Sequence, residues 1–177
     1  PKEIAGLLLS AILSDTVLLK SPTTTEQDKA TARNLAKLAK VELEGYGMEL
    51  LRSGASLKRK APAEIIKQDL KEVHLGELLI SISQVFVMES SELYELKESM
   101  SNALQELAQK EDYDLSLLLA TNILSEDTDM LVVGEHHKLI EHAFRAKIND
   151  DIMHLPGVMS RKKQVIPPLA AAIQENI

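Results

Sequence analysis

The pattern of hydrophobic and polar positions divides the chain into a helical first part and a mixed second part. Over residues 1–54, apolar residues recur with helical spacing and predict a helix over 5–17, one that begins after Thr25, and one over 43–52. The first is apolar all round, which is typical of a helix buried in a larger domain. Thr25 and Asp28 have the spacing of an N-cap and a first-turn carboxylate, and Gly54 is placed to end the third helix.

Beyond residue 62 the pattern alternates between strand and helix. It predicts strands over 72–75, 78–87, 115–124, 129–133 and 147–155. It also predicts helices over 92–109, 136–144 and 165–175, the last interrupted early by Pro167-Pro168. A basic stretch and Pro62 indicate a linker over 54–62. We therefore predict an α/β fold, with a mixed sheet flanked by helices over 55–177 and a helical region over 1–54.

Charge and composition exclude several classes of protein. The formal net charge of −7 argues against a nucleic-acid surface, because phosphate backbones are bound by basic patches. Cys is absent, so we expect a cytoplasmic protein in which any metal is held by His or carboxylates. The apolar run over 4–13 is shorter than the roughly 20 residues of a membrane span, so we expect no membrane contact. The chain opens with Pro1-Lys2-Glu3 and no Met, and we interpret it as a piece of a longer protein.

Three elements carry candidate chemistry. The run Ser160-Arg161-Lys162-Lys163-Gln164 concentrates cations just before a predicted helix, where an anion would neutralise them. Asp15 ends an apolar helix and is a candidate ligand for a hard divalent cation. Lys71 follows the predicted linker, where a second domain would face a first. From the residues alone, a solvated basic turn, a surface cap and a solvated lysine are the more common alternatives.

Other short motifs are incomplete or absent. His136-His137 point in different directions on a helix or turn, and no acidic residue is spaced to complete a metal shell. The sequence contains no His-Glu-x-x-His motif, Gly-rich phosphate loop, dinucleotide fingerprint or Gly-x-Ser-x-Gly elbow. Zinc hydrolysis of that type, classical nucleotide binding and serine hydrolysis are therefore unsupported.

Several short blocks, in this order, resemble the family II inorganic pyrophosphatases of the DHH phosphoesterase superfamily. They are Leu8-Leu9-Ser10-Ala11-Ile12-Leu13-Ser14-Asp15-Thr16, Lys20-Ser21-Pro22-Thr23, Gly54-Ala55-Ser56, Asp69-Leu70-Lys71 and Ser160-Arg161-Lys162-Lys163-Gln164. Each block alone is weak, but the combination is specific and covers nearly the whole chain. The resemblance implies that residues 1–54 are the last helices of a DHH domain and that residues 55–177 are a DHHA2 domain.

The resemblance also implies a two-metal hydrolysis of pyrophosphate to two phosphates. Asp15 would bridge two Mn²⁺ or Co²⁺ ions, with Mg²⁺ accompanying the substrate, while Lys71, Arg161 and Lys162 would bind pyrophosphate oxygens. The parent would be a homodimer joined through its N-terminal domain. No catalytic residue is assigned within this chain, because the family's other metal ligands and its Asp-His-His motif would precede Pro1. We therefore expect the chain to need the missing DHH portion for activity.

Two alternatives differ from this interpretation. An exopolyphosphatase of the same superfamily would share the metal chemistry but need an open channel for a longer substrate. A non-catalytic DHHA2-like module would bind a regulatory or scaffolding partner without chemistry. One position departs from the resemblance, since Asn122 stands where such sequences often show Asp.

Overall fold

The computed structural model describes residues 1–54 and 57–175, apart from the side chain of Arg59. The chain divides into two compact units, Pro1–Ala55 and Ser56–Ile177. The block Gly54-Ala55-Ser56 and the predicted linker thus lie partly outside the described residues, and the rest of the linker carries a short 3-10 turn over Leu57–Arg59. No helix within the two described ranges is long and apolar enough to cross a membrane.

Three helices form the described part of the first unit: α1 (Lys2–Asp15), α2 (Glu26–Ala39) and α3 (Leu43–Gly54). The start of α2 is as predicted, because Thr25 Oγ1 accepts from Asp28 N at 3.2 Å and Asp28 Oδ2 accepts from Thr25 N at 2.8 Å. This reciprocal capping box satisfies two N–H groups that the helix itself leaves unpaired. The small side chains of Ala32 and Ala36 then let α2 pack closely on α1.

Helix α1 has two different faces. Ala5, Leu9 and Leu13 recur at intervals of four and are buried against the other helices of the unit. On its other side Leu7 is 71% exposed, and Ile4 and Leu8 are each 52% exposed within the described residues. The prediction of a helix buried on every side is therefore right for one face only within this unit.

The second unit contains a sheet and its covering helices. Its elements in chain order are α4 (Pro62–Gln68), β1 (Leu70–Leu75), β2 (Leu78–Val87), α5 (Ser91–Glu111), β3 (Leu115–Asn122), β4 (Asp127–Gly134), α6 (His137–Phe144), β5 (Ile152–Leu155) and α7 (Ile166–Glu175). A wide π-type turn over Arg161–Val165 precedes α7. The α/β class and the mixed sheet agree with the prediction.

The strands follow one another across the sheet in the order β1-β2-β3-β4-β5. Strands β2 and β3 pair in parallel, because the long helix α5 connects them, whereas the other neighbours in this order pair antiparallel. Strand β5 is shorter than predicted. Its expected first half forms a turn instead, in which Asp150 and Asp151 have φ values of 50° and 63°, outside the range of a strand.

Helices cover both faces of the sheet, so the central strands are buried almost completely. One face packs on α6 and α7 through Ile82, Leu117 and Met130, among others. The opposite face packs on α4 and α5 through Val85, Leu118 and Leu131. Side chains alternate between the two faces along each strand, which explains the continuous apolar runs of β2 and β3.

The prolines near the C-terminus do not interrupt α7. Pro167 and Pro168 occupy its first turn, where the N–H groups have no partner within the helix in any case. The preceding wide turn carries the chain into the helix at Ile166. The expected interruption was therefore wrong, and the basic run lies on a turn continuous with α7.

Candidate anion-binding site

Arg161 attaches the basic run to the first two strands. Its Nη1 donates to the carbonyl oxygens of Asp69 at 2.7 Å and of Ile82 at 2.9 Å, and its Nη2 donates to Asp69 Oδ1 at 3.0 Å. The Arg161 side chain is only 11% exposed, while that of Asp69 is 47% exposed. The guanidinium is thus fixed in orientation, and its other two N–H groups make no hydrogen bond within the described residues.

Lys71 lies next to this contact on the edge strand β1. It pairs in register with Ile82, whose carbonyl receives Arg161. Lys71 alternates with Val73 and Leu75, which pack toward α6 and α7, so its side chain leaves the strand on the face that carries the basic turn. The Lys71 side chain is exposed and has no ion-pair partner among the described residues. The structure therefore places Lys71 opposite the strand residue whose carbonyl accepts from Arg161.

Lys162 follows Arg161 on the wide turn and is exposed, again without an ion-pair partner in the described parts of the chain. Ser160 begins the turn, and its Oγ accepts from Lys163 N at 3.3 Å. Lys71, Arg161 and Lys162 therefore supply three positive charges on the edge strand and on the turn that Arg161 attaches to it. Asp69 is the carboxylate that offsets part of this charge.

A row of polar side chains under the basic run was not predicted from the sequence. On the face that packs on α6 and α7, the apolar positions of three strands end in Gln84, Thr121 and Thr128, all of which are buried. Gln84 Nε2 donates to Met159 O at 3.0 Å, and Thr128 Oγ1 donates to Val158 O at 2.5 Å. The available signal was a polar residue on the inward face at the end of each apolar run.

Asp127 and its neighbours hold the turn that precedes the run. Asp127 Oδ1 accepts from Gly157 N at 2.9 Å. Gly157 has φ of 69°, in the left-handed region that favours glycine.

The buried Asp129 contacts His154 Nδ1 at 2.7 Å. Burial, and then the Asp129 charge, raises the pKa of the Tyr94 hydroxyl above its usual value.

Asp15 belongs to the first unit, where it is the last residue of α1 and is exposed. The next residues form an unusual turn in which Val17, Leu18 and Leu19 have φ values of 49°, 58° and 63°. Thr16 holds this turn, since its Oγ1 accepts from Leu19 N at 3.1 Å and its carbonyl accepts from Ser21 N at 2.9 Å. Non-glycine residues in this conformation are strained and are concentrated at functional sites.

A single exposed carboxylate at a helix C-terminus suits a hard cation, because oxygen ligands and the negative end of the helix dipole both favour it. Asp15 fits the role of one metal ligand in this respect. Within the described residues, no three His, Cys, Asp or Glu side chains are grouped so that they could hold a metal ion. A complete metal site therefore needs groups beyond those described.

Asn122 has a structural explanation. Its Oδ1 accepts from Leu124 N at 2.8 Å and Ser125 N at 3.2 Å, and its Nδ2 donates to Ser90 Oγ at 3.1 Å. The amide thus organises the turn between β3 and β4 and attaches it to the start of α5. A carboxylate could accept the same two backbone bonds, but Ser90 Oγ would then have to be the donor in the third contact.

Fold and site together define an α/β domain whose mixed sheet presents a cationic edge suited to an oxyanion. A model of the DHHA2 domain matches residues 48–172. The chain belongs to the DHHA2 domain family.

The most similar relatives extend beyond this domain. The chain is 44% identical over 176 residues to a probable manganese-dependent inorganic pyrophosphatase of Lactobacillus johnsonii, covering 98% of this chain and 57% of that protein. It is 42% identical over 171 residues to a protein of the same name from Staphylococcus carnosus, covering 97% of this chain and 56% of that protein. The chain thus spans little more than half the length of these relatives.

A solved structure has the same fold over almost the whole chain. It comes from Methanococcus jannaschii and is provisionally assigned as a family II inorganic pyrophosphatase. Its sequence is 43% identical, the TM-score is 0.87, and the match covers 98% of this chain and 57% of that one. The resemblance drawn from the sequence blocks is therefore confirmed at the level of the family and the fold.

Proposed function

We propose that this chain is the phosphate-binding part of an inorganic pyrophosphatase that hydrolyses pyrophosphate to two phosphates. The observation that supports this most is that Lys71 lies opposite Ile82, whose carbonyl accepts from Arg161, and that the exposed Lys162 follows Arg161 in the chain. The names of the relatives, which are similar over nearly the whole chain, support pyrophosphate as the ligand. The assignment of residues 1–54 to the end of a DHH domain belongs to the same proposal.

The three cations have different parts in this function. Arg161 is fixed by protein acceptors and offers its remaining N–H groups in one orientation, which suits a directed hydrogen bond to a phosphate oxygen. Lys71 and Lys162 are exposed on flexible stems and act as mobile charges that follow the ligand. Together they neutralise charge on the substrate and on the phosphate that leaves.

The metal chemistry lies mainly outside the described residues. In the proposal Asp15 supplies one carboxylate to a pair of Mn²⁺ or Co²⁺ ions, and Mg²⁺ accompanies the substrate. Such ions lower the pKa of a bound water and stabilise negative charge on phosphate oxygens. The other ligands would come from the N-terminal DHH portion, so the chain alone is expected to bind pyrophosphate without hydrolysing it. Cytoplasmic location and a homodimeric parent remain predictions.

Calorimetric titration of the chain with imidodiphosphate, a non-hydrolysable pyrophosphate analogue, tests this function. We expect binding that Lys71→Ala weakens by about tenfold, since one charge-assisted contact is lost. Lys138→Ala is the matched control, because Lys138 is an exposed lysine on α6 of the same unit. Equal affinity in the Lys71→Ala and Lys138→Ala chains would contradict the assignment of Lys71.

Titration with tripolyphosphate and with longer polyphosphate separates a pyrophosphatase from an exopolyphosphatase. Tightest binding of the two-phosphate analogue supports the proposal, and affinity that rises steadily with chain length supports the polyphosphate alternative. A chain that hydrolysed pyrophosphate with Mn²⁺ as fast as the full-length relatives would contradict the need for the DHH portion. Binding of a protein partner that is insensitive to phosphate and to Lys71→Ala would favour a non-catalytic module.

A further inference from the structure

The segment just before Arg161 has all of its backbone hydrogen-bonding groups paired. Its N–H groups, from Gly157 to Ser160, donate to Asp127, to Leu155 and, for the last two, to Gln164. The carbonyls of Gly157 and Val158 accept from the side chains of Gln164 and Thr128. The carbonyls of Met159 and Ser160 accept from the Gln84 side chain and from the Gln164 backbone N–H. Connecting segments on a surface commonly leave such groups to water. Here protein side chains have taken the place of solvent.

Three polar side chains under the segment form a hydrogen-bond relay with one possible direction. Met159 O can only accept, so the Gln84 amide must point its Nε2 toward it and also donate to Thr121 Oγ1 at 3.0 Å. Thr121 must then donate to Thr128 Oγ1 at 2.8 Å, which leaves the Thr128 proton for Val158 O. Each hydroxyl has a single proton to donate, so reversing any one of these hydrogen bonds would leave another acceptor without a donor.

Gln164 closes the segment from the other side. Its Oε1 accepts from Met159 N at 2.9 Å and from Ser160 N at 3.0 Å, and its Nε2 donates to Gly157 O at 2.8 Å. Its backbone N–H also donates to Ser160 O at 2.8 Å. The residue that ends the basic run thus encloses the backbone that leads into it.

We propose that Gln84, Thr128 and Gln164 are positioning residues that hold the segment over 157–160 in one conformation before any ligand arrives. The effect of this segment on ligand binding rests on the proposed function, because a fixed segment fixes the direction from which Arg161 and Lys162 approach a phosphate. A preorganised site orders fewer groups on binding and therefore binds more tightly. None of the three positioning side chains needs to touch the ligand.

Amide hydrogen exchange on the ligand-free chain tests the positioning role itself. We expect the amides of Met159 and Ser160 to be protected in the unsubstituted chain. Thr128→Val keeps the side-chain shape but leaves Val158 O unpaired, and it should reduce this protection by about tenfold, as expected for one buried hydrogen bond. Thr128→Ser retains the hydroxyl and should restore protection. Unprotected amides in the unsubstituted chain would overturn the proposal.

Ser116→Ala is the matched control for general destabilisation. Ser116 is a fully buried hydroxyl that accepts from Ser81 Oγ at 2.7 Å, on the sheet face opposite the segment. Its substitution also breaks a buried hydroxyl contact, but we expect the protection of Met159 and Ser160 to change by less than about twofold. A loss as large as that in Thr128→Val would mean that the amides report overall stability only, and would overturn the proposal.

Binding of imidodiphosphate then separates this inference from the proposed function. Thr128→Val and Gln164→Met should each raise the dissociation constant by about tenfold, whereas Ser116→Ala should leave it unchanged. Lost protection with unchanged affinity in these variants would overturn the link between the segment and the ligand. Absence of binding in the unsubstituted chain would contradict the proposed function, while the exchange result would still decide whether the segment is preorganised.

Discussion

The basic turn has a side against the sheet and a side toward solvent, and neighbouring residues show the difference. Arg161 donates three hydrogen bonds to Asp69 and Ile82 and is almost buried. Lys162, the next residue, is exposed and has no ion-pair partner within the described residues. The positive charges of these two residues therefore have different roles. Arg161 joins the turn to the sheet, and Lys162 is the residue proposed to bind an anion.

Arg161→Ala should have the largest effect, because it removes a contact that stabilises the fold as well as a ligand group. We expect the free energy of unfolding to fall by about 3 kcal/mol, since the carbonyls of Asp69 and Ile82 lose a charged donor. Urea unfolding followed by circular dichroism measures this change. An unfolding curve that coincides with that of the unsubstituted chain would show that the buried side carries no stability, and the distinction between the sides would fail.

Lys162→Ala should separate binding from stability. Loss of one charge-assisted contact should raise the dissociation constant for imidodiphosphate by about tenfold. The free energy of unfolding should change by less than about 0.5 kcal/mol, as is usual for an exposed side chain. Calorimetric titration and urea unfolding of the same preparation give both values, with Lys138→Ala as the control. If Lys162→Ala clearly lowered the free energy of unfolding while Lys138→Ala did not, Lys162 would contribute to stability as Arg161 does, and the distinction between the two residues would fail.

Asp69→Asn should have the smallest effect and the opposite sign for binding. The amide keeps the size of the side chain but removes the negative charge beside the cations, so affinity for imidodiphosphate should rise by about threefold at low salt. Stability should fall by only about 0.5 kcal/mol, because the ion pair is partly exposed. Titrations at low and high salt check the electrostatic origin. Weaker binding in Asp69→Asn would show that the orientation of Arg161 matters more than the local charge.

Much of the fold follows from the sequence because the hydrophobic periodicity and the capping and turn residues indicate the same element boundaries. The apolar runs of β2 and β3 and the capping pair of Thr25 and Asp28 were local signals that the structure confirms. The interruption at Pro167 was wrong because a proline in a first helical turn loses no hydrogen bond. The length of β5 was wrong because Asp150 and Asp151 adopt left-handed conformations, a turn that the run Asn149-Asp150-Asp151 indicates and that the strand prediction overlooked.

The candidate site was only partly predictable. The sequence indicates Lys71, Arg161 and Lys162 through short blocks, and whether they bind phosphate stays a prediction. What the sequence does not show is that Arg161 reaches back to Asp69, because that contact joins residues far apart in the chain. The polar row of Gln84, Thr121 and Thr128 is likewise a product of strand register. Such arrangements depend on pairing between strands and not on any local pattern.

The position of Lys71 on an edge strand has a consequence for the protein in concentrated solution. Strand β1 has no partner on its outer side within the part of the chain that the structure describes, and an exposed edge of this kind can recruit a strand from another molecule. Charged side chains along the edge discourage such pairing, and Lys71, Glu72 and His74 are all exposed there. Lys71, proposed to bind the ligand, would thus also oppose aggregation through the edge strand. Replacing Lys71 with a β-branched apolar residue would remove the proposed ligand contact and the protection against aggregation together.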